Sequence, residues 1–200
     1  VRSCGALISY MEDTQKMHLS DQITAEYYTV DEFLTIDAAS RRNLEITETL
    51  RDKNKKGSLL WVLDKTVTPM GGRLLKKWLE QPLIDVDAIN ERLDAVAELK
   101  DAFLLRSEIR ELLAGVYDME RIAGKVTLGT CNARDLASLR QSAGKMPYIR
   151  NTLASCKAPL LQRIHAETDG LEDVWTLLDQ AIEEDPPLAL KEGGIIKKGY

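Results

Sequence analysis

Glycine followed by lysine is the first place to look for phosphate chemistry, and the chain has two such pairs, Gly124-Lys125 and Gly144-Lys145. A phosphate-binding loop needs G-x-x-x-x-G-K-[ST], in which backbone amides cradle the phosphates and the hydroxyl reaches a magnesium ion. Here Val126 and Met146 replace that hydroxyl, and Met119 and Leu139 stand where the upstream glycine belongs. There is no H-E-x-x-H, no G-x-S-x-G and no glycine-rich turn after a strand. Cys4, Cys131 and Cys156 are scattered, with only His18 and His165 to assist, so neither a metal site nor a disulfide framework is expected. The carboxylates fall at helix caps and on polar faces, where capping and solvation account for them. No catalytic, cofactor-binding or metal-binding residue is therefore assigned.

What remains is positive charge. Arg51, Lys53, Lys55 and Lys56 form a basic loop opposed only by Asp52, and Lys197 and Lys198 make a second small cluster. These, with Arg73, are the candidate contacts to DNA or to a neighbouring domain. No aromatic residue interleaves with the basic loop to stack on bases, and a solvated polar loop before the next helix accounts for it better than a nucleic-acid contact does. The net charge of -5 argues against a broad non-specific DNA grip, which needs a basic excess. Any association should be weak, local and salt-sensitive.

The 200 residues, 44% hydrophobic and 30% charged with a mean hydropathy of -0.25, describe a globular chain able to bury its own core. No run is long and apolar enough to span a bilayer and no signal sequence opens the chain, which makes the cytoplasm the expected location. Residues 1–15 look helical at their end and read as the tail of something that starts upstream. His18 to Asp37 is rich in β-branched and aromatic residues (Ile23, Tyr27, Tyr28, Val30, Phe33, Ile36), predicting one or two short extended stretches.

After Asp37 the apolar spacing becomes helical and stays so to Glu184, predicting about seven to nine helices. Leu171, Val174, Trp175, Leu178 and Ile182 form one stripe; Ile89, Leu93 and Val96 form another. Thr68 should cap a helix that begins at Pro69 and ends at Gln81-Pro82. Asp85, Asp118 and Asn132 should cap others, with Ile84 and Ile89 as a hydrophobic staple across the first of these. Trp61, Trp78 and Trp175 lie within apolar stripes and are expected in the core or between domains. The fold class is thus mostly α and multi-helical, with the short extended stretches near the N-terminus.

Three stretches carry a resemblance. Ile36-Asp37-Ala38-Ala39-Ser40-Arg41-Arg42-Asn43-Leu44-Glu45-Ile46 is similar to an I-D-x-x-[TS]-x-x-N-L-E-[IL] signature, and residues 63–83, LDKTVTPMGGRLLKKWLEQPL, to a T-x-x-G-x-R-x-L-x-x-W-L-x-x-P-L run. Glu192-Gly193-Gly194-Ile195-Ile196-Lys197-Lys198-Gly199-Tyr200 resembles a G-G-x-I-x-x-G-Y passage. In this order and spacing they resemble the MutS family of DNA mismatch repair proteins. Each motif also has a purely structural account: Asp37 as a cap, Asn43 satisfying backbone groups, Gly71 and Gly72 admitting another backbone, Arg73 reaching a carboxylate, and the two later glycines making a turn before a brief extended passage.

The resemblance implies that residues 1–20 are the tail of a connector domain and residues 21–200 the first half of a core domain that ends at the root of a DNA clamp. It implies a non-catalytic part that links an ATPase to the clamp and transmits conformational change. ATP and magnesium would belong to the longer parent, as would mismatched DNA, a MutL-type partner and the homodimer; the immediate partners of this part would be other domains of the same chain. The competing expectation is a free-standing helical scaffold for protein interaction, with a helical hydrolase of unrecognised site behind it.

Overall fold

The computed structural model describes residues 2–15, 33–187 and 192–200. It divides into two units, residues 1–33 and 34–200, each taken by itself. In the first, helix α1 (Arg2–Gln15) is described. The extended stretches expected between His18 and Asp37 fall mainly on residues 16–32, outside the described residues, as does the domain boundary expected after residue 20. Just beyond them, the Leu34 N–H donates to the Pro82 carbonyl at 2.8 Å.

The second unit is helical. Two short segments, α2 (Ala38–Asn43) and α3 (Leu59–Leu63), precede α4 (Pro69–Glu80), α5 (Val86–Asp101), α6 (Phe103–Ala114) and α7 (Met119–Thr127). Then come α8 (Ala133–Ala143), α9 (Met146–Leu153), α10 (Pro159–Glu167) and α11 (Glu172–Ala181). Local chemistry sets these boundaries. Asp37 accepts from the Ala39 and Ser40 amides, Thr68 from Gly71, Asp85 from Ala88 and Asp118 from Arg121. Asn132 and Asp135 close a reciprocal capping box at the start of α8. Ile84 stays exposed, so the expected staple shields little of it.

Packing joins α5 to α6 and α10, α9 to α6 and α10, and α8 to α7, α9 and α11. The main core gathers Ala95, Val116, Ile149, Leu153, Cys156, Ala158 and Leu161, with Ile109, Leu112 and Leu113 of α6 partly buried against it. A smaller core of Leu178, Ala181 and Ile182 receives Leu136 and Leu139 of α8. Ser142, fully buried, joins α8 to the turn before α7 by accepting the Tyr117 N–H at 2.9 Å, and donates within its own helix to the Ser138 carbonyl at 2.8 Å.

Two expectations about faces need correcting. On α5 Ala95 is buried and Ala88, Ile89, Arg92 and Leu99 are partly so, while Leu93 and Val96 of the expected stripe are 56% and 61% exposed. The reason is steric: α10 packs against the side where small Ala95 lets it approach, and Leu93 and Val96 turn outward. Trp61, Trp78 and Trp175, expected in the core or between domains, are 48%, 37% and 41% exposed, so the first of those two places does not hold for them in this unit.

The third motif folds as expected. Gly193 and Gly194 adopt φ of +71° and +68°, open to glycine at little cost, and deliver Ile196 into an antiparallel bridge with Ile182. Arg134 and Arg140 secure the chain that leaves α11 by donating to the carbonyls of Pro186 and Ile182.

Candidate functional site

Arg73 sits on α4, which Pro69 starts and Thr68 caps. Its guanidinium donates through Nη1 and Nη2 to both oxygens of Asp118 at 2.7 and 2.9 Å, and through Nη2 to Glu120. This fork-to-carboxylate geometry is the strongest form of the ion pair. It holds the Asp118 carboxyl well below the usual carboxylate range, at about 2, while the paired carboxylates push the Arg73 guanidinium further up. Asp118 also caps α7, so one side chain fixes both the start of a helix and its tie to α4. Arg73 therefore reaches the carboxylate expected of it while half of its side chain stays exposed.

A Cβ at Gly71 would meet Thr68 Oγ1 at 2.9 Å, and one at Gly72 would meet Thr66 Oγ1 at 3.4 Å. Among the described residues, the nearest groups to these glycines are thus side chains of the turn that precedes the same helix, rather than a second backbone.

The basic loop is less uniform than its sequence. Lys55 donates to Asp64, whose carboxyl is drawn down to about 2 chiefly by that hydrogen bond and also by the Thr66 hydroxyl. Arg51, Lys53 and Lys56 are exposed, and Lys53 adopts φ of +46°. Of the C-terminal pair, Lys197 Nζ donates to the Asp179 carbonyl at 2.6 Å and Lys198 is exposed. Among the described residues the engaged candidates have different partners: Arg73 holds Asp118 and Glu120, Lys55 holds Asp64, and Lys197 holds the Asp179 carbonyl.

No group of three or more His, Cys, Asp or Glu residues among the described residues is arranged to hold a metal ion. Gly124 lies inside α7 and Gly144 ends α8 against Trp175, so neither Gly-Lys pair forms a loop that cradles phosphate.

One further position was invisible in sequence. Glu98, on α5, accepts the amides of Lys157 and Ala158 and so anchors the turn that leads into α10. A carboxylate 60 residues upstream leaves no local signature.

Against this geometry the comparisons with known proteins are decisive. A family model described as MutS domain III matches residues 39–198. The chain belongs to the MutS domain III family. Its relatives include the DNA mismatch repair protein MutS of Acetivibrio thermocellus, 54% identical over the whole chain, and that of Lachnoclostridium phytofermentans, 48% identical. The MutS of Clostridium botulinum is 50% identical over 199 residues. The chain spans 23%, 22% and 21% of these relatives' lengths, a little under a quarter. This MutS domain III is an all-α body in which the second signature run builds α4 and its link to α7, and the third builds the bridge behind α11. No helix among its described residues is long and apolar enough to cross a membrane.

Proposed function

We propose that this domain III serves a DNA mismatch repair protein as a stiff, non-catalytic coupler between an ATPase and a DNA clamp. The observation that carries the reading is the main core, which draws on α5, α6, α9 and α10 at once, so that displacement of one helix must displace the others. The Arg73–Asp118 pair extends the same block to α4 and α7. Its uncovered apolar residues, among them Trp61, Leu74, Trp78, Leu93 and Val96, suit a part that packs against other domains of one chain better than a free-standing scaffold does. Mismatched DNA, ATP with magnesium, a MutL-type partner and the homodimer then belong to the longer protein, in the cytoplasm.

The test uses a full-length relative carrying one fluorophore on the ATPase and one on the clamp. Loosening the block with Arg73→Ala and Glu98→Ala together should leave ATP hydrolysis without DNA unchanged while slowing the clamp's response to ATP. A clamp that responds at the unmodified rate in the double variant would sink the relay. ATP turnover above background by the 200-residue chain alone would sink its non-catalytic character.

A further inference from the structure

Where α8 runs into α9, the start of α11 closes over the junction and leaves a cleft of about 250 Å3. Pro147, Tyr148, Gly170, Glu172 and Trp175 line it, with Gly144 at its base. Trp175 lies against Gly144 so closely that an added Cβ there would sit 3.1 Å from Nε1, which fixes the indole in place. Trp175 nevertheless remains 41% exposed, and its indole N–H donates to no group among the described residues. Tyr148, on the other contributing helix, is 63% exposed. Two partly exposed aromatic side chains, a proline on the same lining and a spare indole donor are the equipment that recognises extended proline-containing chain. Pyrrolidine rings pack on aromatic faces, the polyproline conformation is already ordered before binding, and its solvated carbonyls accept a donor at little cost.

The rim sets the sign of the partner. Glu172 lines the cleft, Asp173 follows it in the first turn of α11, and Asp169 precedes them, with no basic residue in that turn. None of the three is in a salt bridge among the described residues. We propose that this cleft docks a proline-containing extended segment of another protein, flanked by lysine or arginine. The aromatic side chains grip the prolines and the acidic rim orients the cationic ends.

Calorimetric titration of the 200-residue chain with a synthetic peptide of five prolines between arginines tests this directly. Saturable binding is expected, weakened about tenfold or more when the prolines become alanines or the arginines become glutamates. Tyr148→Ala, at a position too exposed to disturb the core, should weaken it by a similar factor, and Trp175→Phe, which keeps a ring but removes the donor, by several-fold. Absence of saturable binding would overturn the proposal. So would equal affinity for the alanine peptide, or unchanged affinity in Tyr148→Ala with an unchanged helical circular dichroism spectrum.

Discussion

Glu98 Oε2 accepts the Ala158 N–H at 2.6 Å, and its Oε1 accepts the Lys157 N–H at 2.8 Å. The N-cap residue of α10, Ala158, carries no side-chain cap, and Glu98 of α5 instead holds the turn that enters the helix by its two amides. Replacing Glu98 by alanine leaves the part-buried Ala158 amide without an acceptor, while water reaches that of exposed Lys157, and should cost on the order of 1 kcal/mol. Glu98→Gln keeps an acceptor oxygen and should lose less. Chemical denaturation of both variants checks the ranking; equal losses would show that charge or packing, rather than hydrogen bonding, is what Glu98 provides.

The two glycines that open α4 should respond oppositely to alanine. At Gly72 the added methyl meets Thr66 Oγ1 at an ordinary 3.4 Å, so the gain in helix propensity survives, about 0.4–1 kcal/mol of stabilisation. At Gly71 it meets Thr68 Oγ1 at 2.9 Å and must push away the hydroxyl that caps the Gly71 amide. Loss of that cap, about 1 kcal/mol, offsets the propensity gain. Thermal melts should therefore place Gly72→Ala above the parent and Gly71→Ala level with it or below. The reverse order would refute the capping geometry.

Acid should dissolve the link between α4 and α7. Asp118 has its folded pKa depressed to about 2 by Arg73, so its contribution is complete above the ordinary carboxylate value near 4 and is lost as pH falls towards about 2. Asp64, held down to about 2 by Lys55, fades over the same window. Because both pairs are solvent-accessible, salt should reduce their effect. Melting temperatures of the parent and of Arg73→Ala should differ at pH 6 and converge near pH 2. A gap that persists at the acid end would mean that Arg73 acts by packing.

Weak, salt-sensitive DNA association is expected from the basic loop, carried by Arg51, Lys53 and Lys56, since Lys55 is engaged with Asp64. Fluorescence anisotropy on a duplex should show the Arg51, Lys53 and Lys56 triple alanine variant losing most of the signal while Lys55→Ala changes little. Submicromolar affinity at physiological salt would contradict the reading.

Much of this was legible in the chain because helix ends are decided locally. Asp37, Thr68, Asp85, Asp118 and Asn132 each cap the helix that their position predicts, since the donor and acceptor lie within three residues. The mostly α class followed from apolar spacing, and the three signature runs pointed to the family that the comparisons established.

Tertiary structure decided which face of each helix turns inward and which distant residues meet. Leu93 and Val96 form as good a stripe as any, yet α10 chose the alanine side of α5. The grip of Glu98 on α10, the ring of Trp175 against Gly144 and the approach of α4 to α7 through Arg73 and Asp118 each join residues 31 to 60 positions apart. Spacing along a chain encodes the period of a helix but not the direction from which its neighbour arrives, because that direction is set by the shapes of both surfaces together.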